Sequence, residues 1–223
     1  MTIFLIQVVI ASALLLFLHV SALALAGIAF GIELREVSFG VGKALFTRGK
    51  VTVRLLPFSG YAKFADTTET PEADPATAFN HKPAMVRAAV LVMGCGSLIL
   101  LAALIPGVAG VSEVIAGFRQ VVVGAFGPTS TAQGYIQALL DRSTSQGFMV
   151  VLGVLAAKFA AFNLLPLPLL NGGQALLALV PTDPNVVPDW HLKLMQFSIM
   201  AILALLASWL YAICFFAIGS QPA

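Results

Sequence analysis

The chain has 223 residues, of which 59% are apolar and only 10% charged, and its mean hydropathy is +0.97. A soluble domain carries roughly 25% charged residues, so a cytosolic enzyme, a disordered tail and a nucleic-acid binder are all excluded. The net charge of +2 is too small, and the cations too dispersed, to suggest a polyanionic partner.

The elements follow in chain order from the requirement that a bilayer core be crossed by about 20 apolar helical residues. From Met1 to Ile32 there is no formal charge, and Glu33 ends the run. The stretch has no basic lead-in and is too long for a signal peptide, so a first span is expected over about 3–32. Further spans are expected over about 87–105 (stopping at Ile105-Pro106-Gly107), 148–166 and 194–218. The fold class expected is thus a membrane all-α protein with about four transmembrane helices in a single membrane domain, 1–223.

The connection after the first span, about 34–64, reads as a β-hairpin loop: Val51-Thr-Val-Arg-Leu-Leu56 is strand-like and Thr47-Arg-Gly-Lys50 is a turn. An acidic, flexible linker is expected over about 65–78, and an interfacial or re-entrant segment over about 111–143, with Ser130 capping a short helix. Arg35, Lys43, Arg48, Lys50, Arg54, Lys63 and Lys82 crowd the first connection and Lys193 the third, whereas the second holds only Arg119 and Arg142. Excess Lys/Arg stays cytoplasmic; loops one and three are therefore expected to face the cytoplasm of a multi-pass inner-membrane protein, with both termini opposite. Cys95 and Cys214 lie in apolar runs and read as packing residues.

Three stretches resemble the site-2 intramembrane metalloprotease family. Ser38–Phe46 with Arg54–Phe64 is similar to the family's SxGxGPKLF and RLIPLGGYVK segments, which implies a small membrane-associated β-sheet in the first loop. Phe79–Pro83 through Arg87 and Gly94 resembles the entry to the next core helix. Asn163-Leu-Leu-Pro166-Leu-Pro168-Leu-Leu-Asn171-Gly-Gly173 resembles NLLPxPxLDGG. The chain leaves no room for the PDZ domain of many members.

The resemblance implies a zinc site built from HExxH, in which two His at i and i+4 bind the metal and the Glu activates water, with the Asp of LDGG as third ligand. In this sequence the matching positions are His19, Val20, Leu23 and Asn171. Val accepts no proton, Leu is no ligand, and an amide is a weak one. No metal, no cofactor and no catalytic residue are therefore expected, and the reading is a catalytically inactive relative. Its partner would be another membrane protein or transmembrane peptide within the lipid bilayer, bound in a cleft that includes His19, Lys158, Asn163, Pro166, Pro168, Asn171 and Gly172. The role would be that of a subunit or assembly factor. The alternative is an active zinc protease that recruits ligands from His81 or His191, which otherwise read as solvated loop residues. Lys158, in hydrocarbon by its sequence context, is costly unless paired; its ammonium is expected to fill the space of the metal, near His19 and Asn171.

Overall fold

A computed structural model describes residues 2–105 and 107–219; Met1, Pro106 and residues 220–223 lie outside them. The fold is mostly helical with one small antiparallel sheet. The uncharged N-terminal run forms α1 (Thr2–Ala29). A hairpin follows, β1 (Leu34–Arg48) paired antiparallel with β2 (Val51–Phe64), and the chain reverses at Gly49, whose φ of +58° suits glycine. Both strands are longer than the sequence pattern suggests and both bend. Val37–Phe39 pairs with Ala62–Gly60 on one side and with Val51–Val53 on the other. The bend sits at Gly40, where φ is +97° and an added Cβ would lie 2.8 Å from the Leu56 carbonyl oxygen.

The sheet does not stand off from the bundle. Val37, Leu34, Phe39 and Ala62 pack on Leu16, Val20 and Ala24 of α1, and the Phe39 ring lies 5.0 Å from that of Phe17. The sheet thus runs back along the C-terminal half of α1, over about 15 Å of helix from Gly27 to Phe17.

Residues 65–78, expected as a flexible linker, form a run of turns. Asp66 accepts hydrogen bonds from the Thr68 amide and hydroxyl, Asp74 accepts one from the Ala76 amide, and Ala65, Ala73 and Ala78 are buried. Asn80 donates to the Pro184 carbonyl (2.7 Å), which ties this loop to the one before the last helix.

The remaining helices are α2 (Ala84–Leu104), α3 (Val111–Phe126), α4 (Thr131–Gln146), α5 (Phe148–Asn163), α6 (Asn171–Ala178) and α7 (Asp189–Gly219). Residues 111–143, read as an interfacial segment, are therefore two helices. Ser130 precedes α4 in the capping position but makes no side-chain cap bond.

Among the described residues, three helices are long and apolar enough to cross a membrane: α1, α2 and α7. The third expected span is shorter than foreseen. α5 has 16 residues, because Gly147 (φ +80°) starts it abruptly and Pro166 prevents its continuation. It is also the innermost helix, in contact with α1, α2, α3 and α4, and its Ala156, Ala157, Ala160 and Ala161 are fully buried. Those small side chains let the neighbours approach closely. α7 is the opposite case. It touches α3 and α4 and turns Phe197, Leu203, Leu206 and Leu210 outward, as a lipid-facing helix does. Cys95 is buried as expected, whereas Cys214 is exposed on α7.

Candidate functional site

His19 lies in the middle of α1 and is 7% exposed. Its ring is wedged between α2 and the start of α6, with the Gly94 backbone and the Asn171 side chain as its polar neighbours. Asn171 Nδ2 donates to the Leu91 carbonyl at 2.8 Å, one turn from Gly94, so a single amide ties α6 to α2 across the imidazole. His19 Nδ1 has no hydrogen-bond partner among the described residues.

Gly94 is what makes room for the ring. A Cβ there would stand 2.7 Å from His19 Nδ1 and 2.8 Å from the His19 carbonyl oxygen. The second contact is with backbone, which cannot swing aside. Gly94→Ala is expected to lower stability by about 1–3 kcal/mol, measurable as a fall in the melting temperature of the detergent-solubilised protein.

The positions flanking His19 are occupied by core side chains. Val20 is fully buried against Leu16, Ala24 and Val37. Leu23, one turn from His19 on the same face, packs with Ala26, Ile32 and Val90. Among the described residues, no group of three or more His, Cys, Asp and Glu comes together. A cavity of about 310 Å³ opens beside Leu23 and Asn171, with Tyr61, Phe64, Leu169 and Gln174 on its walls.

The Pro-rich segment between α5 and α6 closes one side of this site. Asn163 Nδ2 donates back to the Phe159 carbonyl of its own helix (2.9 Å). Pro166 is exposed and Pro168 buried. Backbone amides freed by the break find local acceptors, Leu167 N to Leu165 O (2.7 Å) and Leu170 N to Leu167 O (2.8 Å). The Leu169 amide donates to the hydroxyl of Ser198 (3.0 Å), which α7 supplies from a fully buried position. Sequence reasoning missed Ser198; its signal is a lone hydroxyl between Phe197 and Ile199. Gly172 and Gly173 let α6 start directly against this segment, since a Cβ on either would fall on the Leu164 or the Leu167 carbonyl group.

Lys158 is not beside His19. Its Nζ donates to the Glu113 carboxylate (2.7 Å) and to the Glu113 carbonyl (3.0 Å), while Arg142 Nη1 donates to the other carboxylate oxygen (2.9 Å). One acid on α3 thereby joins a cation on α4 and one on α5. Burial pushes the Glu113 carboxyl up, but the bonds from Lys158 and Arg142 outweigh it and hold the group below the usual carboxylate range. The expectation that Lys158 fills a vacated metal space is thus corrected: a buried ammonium is stabilised far more by a carboxylate than by an imidazole and an amide.

His81 lies in the connection before α2, whereas His191, expected in a loop, lies in the first turn of α7. His81 Nε2 bonds the Thr67 hydroxyl (2.9 Å), and His191 stacks on Trp190. Neither is simply solvated.

A buried histidine on the first apolar helix, an asparagine of an LNGG turn reaching its edge and a sheet folded back along the same helix form one arrangement, and the comparison with known families gives it a name. The sequence profile of peptidase family M50 matches residues 7–207. The chain belongs to peptidase family M50. That match spans the hairpin, the Pro-rich turn and most of α7, so the site described lies inside it. No curated protein matches the chain. With its apolar helices, membership of this family makes the chain a membrane protein.

Proposed function

We propose that this M50 family member is catalytically silent and holds another membrane polypeptide, as a subunit or assembly factor of a complex in the inner membrane, with its first and third loops cytoplasmic. One observation carries the reading: the side chains at the positions of a base and a second ligand, Val20 and Leu23, are built into two separate apolar clusters. A catalytic zinc takes three protein ligands and an open position. The donors that converge here are one imidazole and one carboxamide whose amino group is already committed to Leu91. This set does not fit the metal, and no step of a peptidase reaction is assigned to it. What the cavity beside Asn171 offers instead is a partly polar wall, with Gln174 and the outer edge of Gly60–Phe64, suited to an extended peptide backbone.

Two measurements test this together. Purified protein is expected to hold far less than one zinc per chain, unchanged in His19→Ala, and to leave transmembrane peptides uncut. Stoichiometric zinc that is lost on His19→Ala overturns the silent reading and revives the active enzyme. A photo-crosslinker at Gln174 is expected to capture a membrane polypeptide that a crosslinker at the outward-facing Phe197 does not. Equal capture at both positions argues against the cleft.

A further inference from the structure

We propose that the outer ribbon of the hairpin, residues 41–53, lies at the bilayer surface beside α1 and holds anionic phospholipid headgroups with Lys43, Arg48 and Lys50. The ribbon is not part of the cleft described above. Residues 37–39 separate the two, pairing with residues 60–62 of the cleft wall on one side and with residues 51–53 of the ribbon on the other. The outermost strand, residues 44–48, pairs only with residues 51–54 among the described residues, and residues 41–51 are exposed without a break.

Charge, apolar surface and level together name what covers this ribbon. No acid stands between Glu36 and Asp66, whereas that stretch holds Lys43, Arg48, Lys50, Arg54 and Lys63. Arg54 bonds Ser38 and Gly42, and Lys63 pairs with Glu69. Lys43, Arg48 and Lys50 are in none of the ion pairs among the described residues. Apolar side chains share their surface. Phe46 is opposite Val53 and Arg48 opposite Val51, so these four project from one face, and Phe46 is 56% exposed. A soluble polyanion would use the cations and leave that apolar surface in water. Cations interleaved with aromatic and aliphatic side chains suit a membrane interface, where both find their solvent.

The level agrees. The Lys50 carbonyl accepts a hydrogen bond from the Val37 amide (2.7 Å). Val37 is opposite Ala62, two residues short of Phe64, which lies against Gly27. The turn thus stands about 10 Å from Ala29, where a candidate membrane span ends. From there the long stems of Arg48 and Lys50 reach the headgroup layer. A zwitterionic headgroup brings its own cation, so unpaired cations select a net negative one. The ribbon and the His19 cleft lie at opposite edges of the sheet, and failure here would leave the reading above unaffected.

The test places a bimane fluorophore on Phe46→Cys in the full chain carrying Cys214→Ser; Cys95 is fully buried. The protein is reconstituted in vesicles of equal phosphatidylglycerol and phosphatidylcholine, with one of the two brominated on its acyl chains at a time. Quenching is expected to report phosphatidylglycerol enriched about fivefold at this position, the effect of one cation near an anionic surface. The same label on Phe197→Cys, on the outward face of α7, is expected to be quenched equally by both lipids. Lys43→Gln/Arg48→Gln/Lys50→Gln, all at exposed positions, is expected to bring the label at position 46 to that same equality, and high salt to move the unsubstituted ribbon part of the way. Equal quenching by the two lipids at position 46, or a preference that survives the triple substitution, would overturn the proposal. No quenching by either lipid would overturn it as well, and would leave the ribbon to an acidic soluble partner.

Discussion

Replacing Glu113 with leucine is expected to lower stability by about 3 kcal/mol, because it leaves Lys158 without its anion in a site only 19% exposed on the lysine side. Lys158→Leu alone is expected to cost less, since Arg142 still pairs with the carboxylate at 2.9 Å. The double variant Glu113→Leu/Lys158→Leu is expected to recover most of the loss, because a buried ion pair exchanged for apolar side chains is near neutral and the more exposed Arg142 can turn to water. Thermal unfolding of the four proteins in one detergent measures the coupling, and a purely additive cycle would show that the pair does not act as a unit. The same carboxylate sets an acid limit. Its folded-state pKa lies below the ordinary value, so its contribution is complete above the usual carboxylate range and fades as pH falls below about 4. The melting temperature of Glu113→Gln should lack that component.

The second large effect is expected at the start of α6. Gly173→Ala places a methyl group on the Leu167 carbonyl group, and Gly172→Ala places one on that of Leu164. Both obstacles are main chain in a turn already fixed by its own hydrogen bonds and by Ser198, so no rotamer change relieves them. Each substitution is expected to cost about 3 kcal/mol or more, the upper end for overpacking, and to give aggregated protein on fluorescence-detected size-exclusion chromatography. Gly96→Ala is the control. Its Cβ would meet nothing within 4 Å, and alanine is the better helix former, so the control is expected to be neutral or mildly stabilising.

How much of this was legible in the sequence depended on whether the information was local. The uncharged run of α1 and the hairpin turn at Gly49 are local features, and they appear where hydropathy and turn chemistry place them. The neighbourhood of His19 and Asn171 came through the motif resemblance, since the two residues are far apart in the chain and only a known arrangement brings them together. α6 was not legible, because Asn-Gly-Gly opens it and helix propensity disfavours glycine; the space those glycines leave is a tertiary demand that no local pattern records. The partner of Lys158 was missed for a similar reason, although a signal existed. Glu113 is the only acid between Asp74 and Asp141, and Lys158 the only Lys or Arg between Arg142 and Lys193. Two isolated opposite charges in apolar surroundings have strong reason to meet. Assigning Lys158 to a metal space overlooked that simpler partner.

The brevity of α5 has a consequence for the backbone at its ends. Sixteen residues rise about 24 Å, several ångströms less than a hydrocarbon layer of about 30 Å. Because α1, α2, α3 and α4 pack around it, the shortfall meets protein before it meets lipid. Non-helical backbone is tolerated at membrane depth only behind such a screen, so a short central helix depends on longer neighbours.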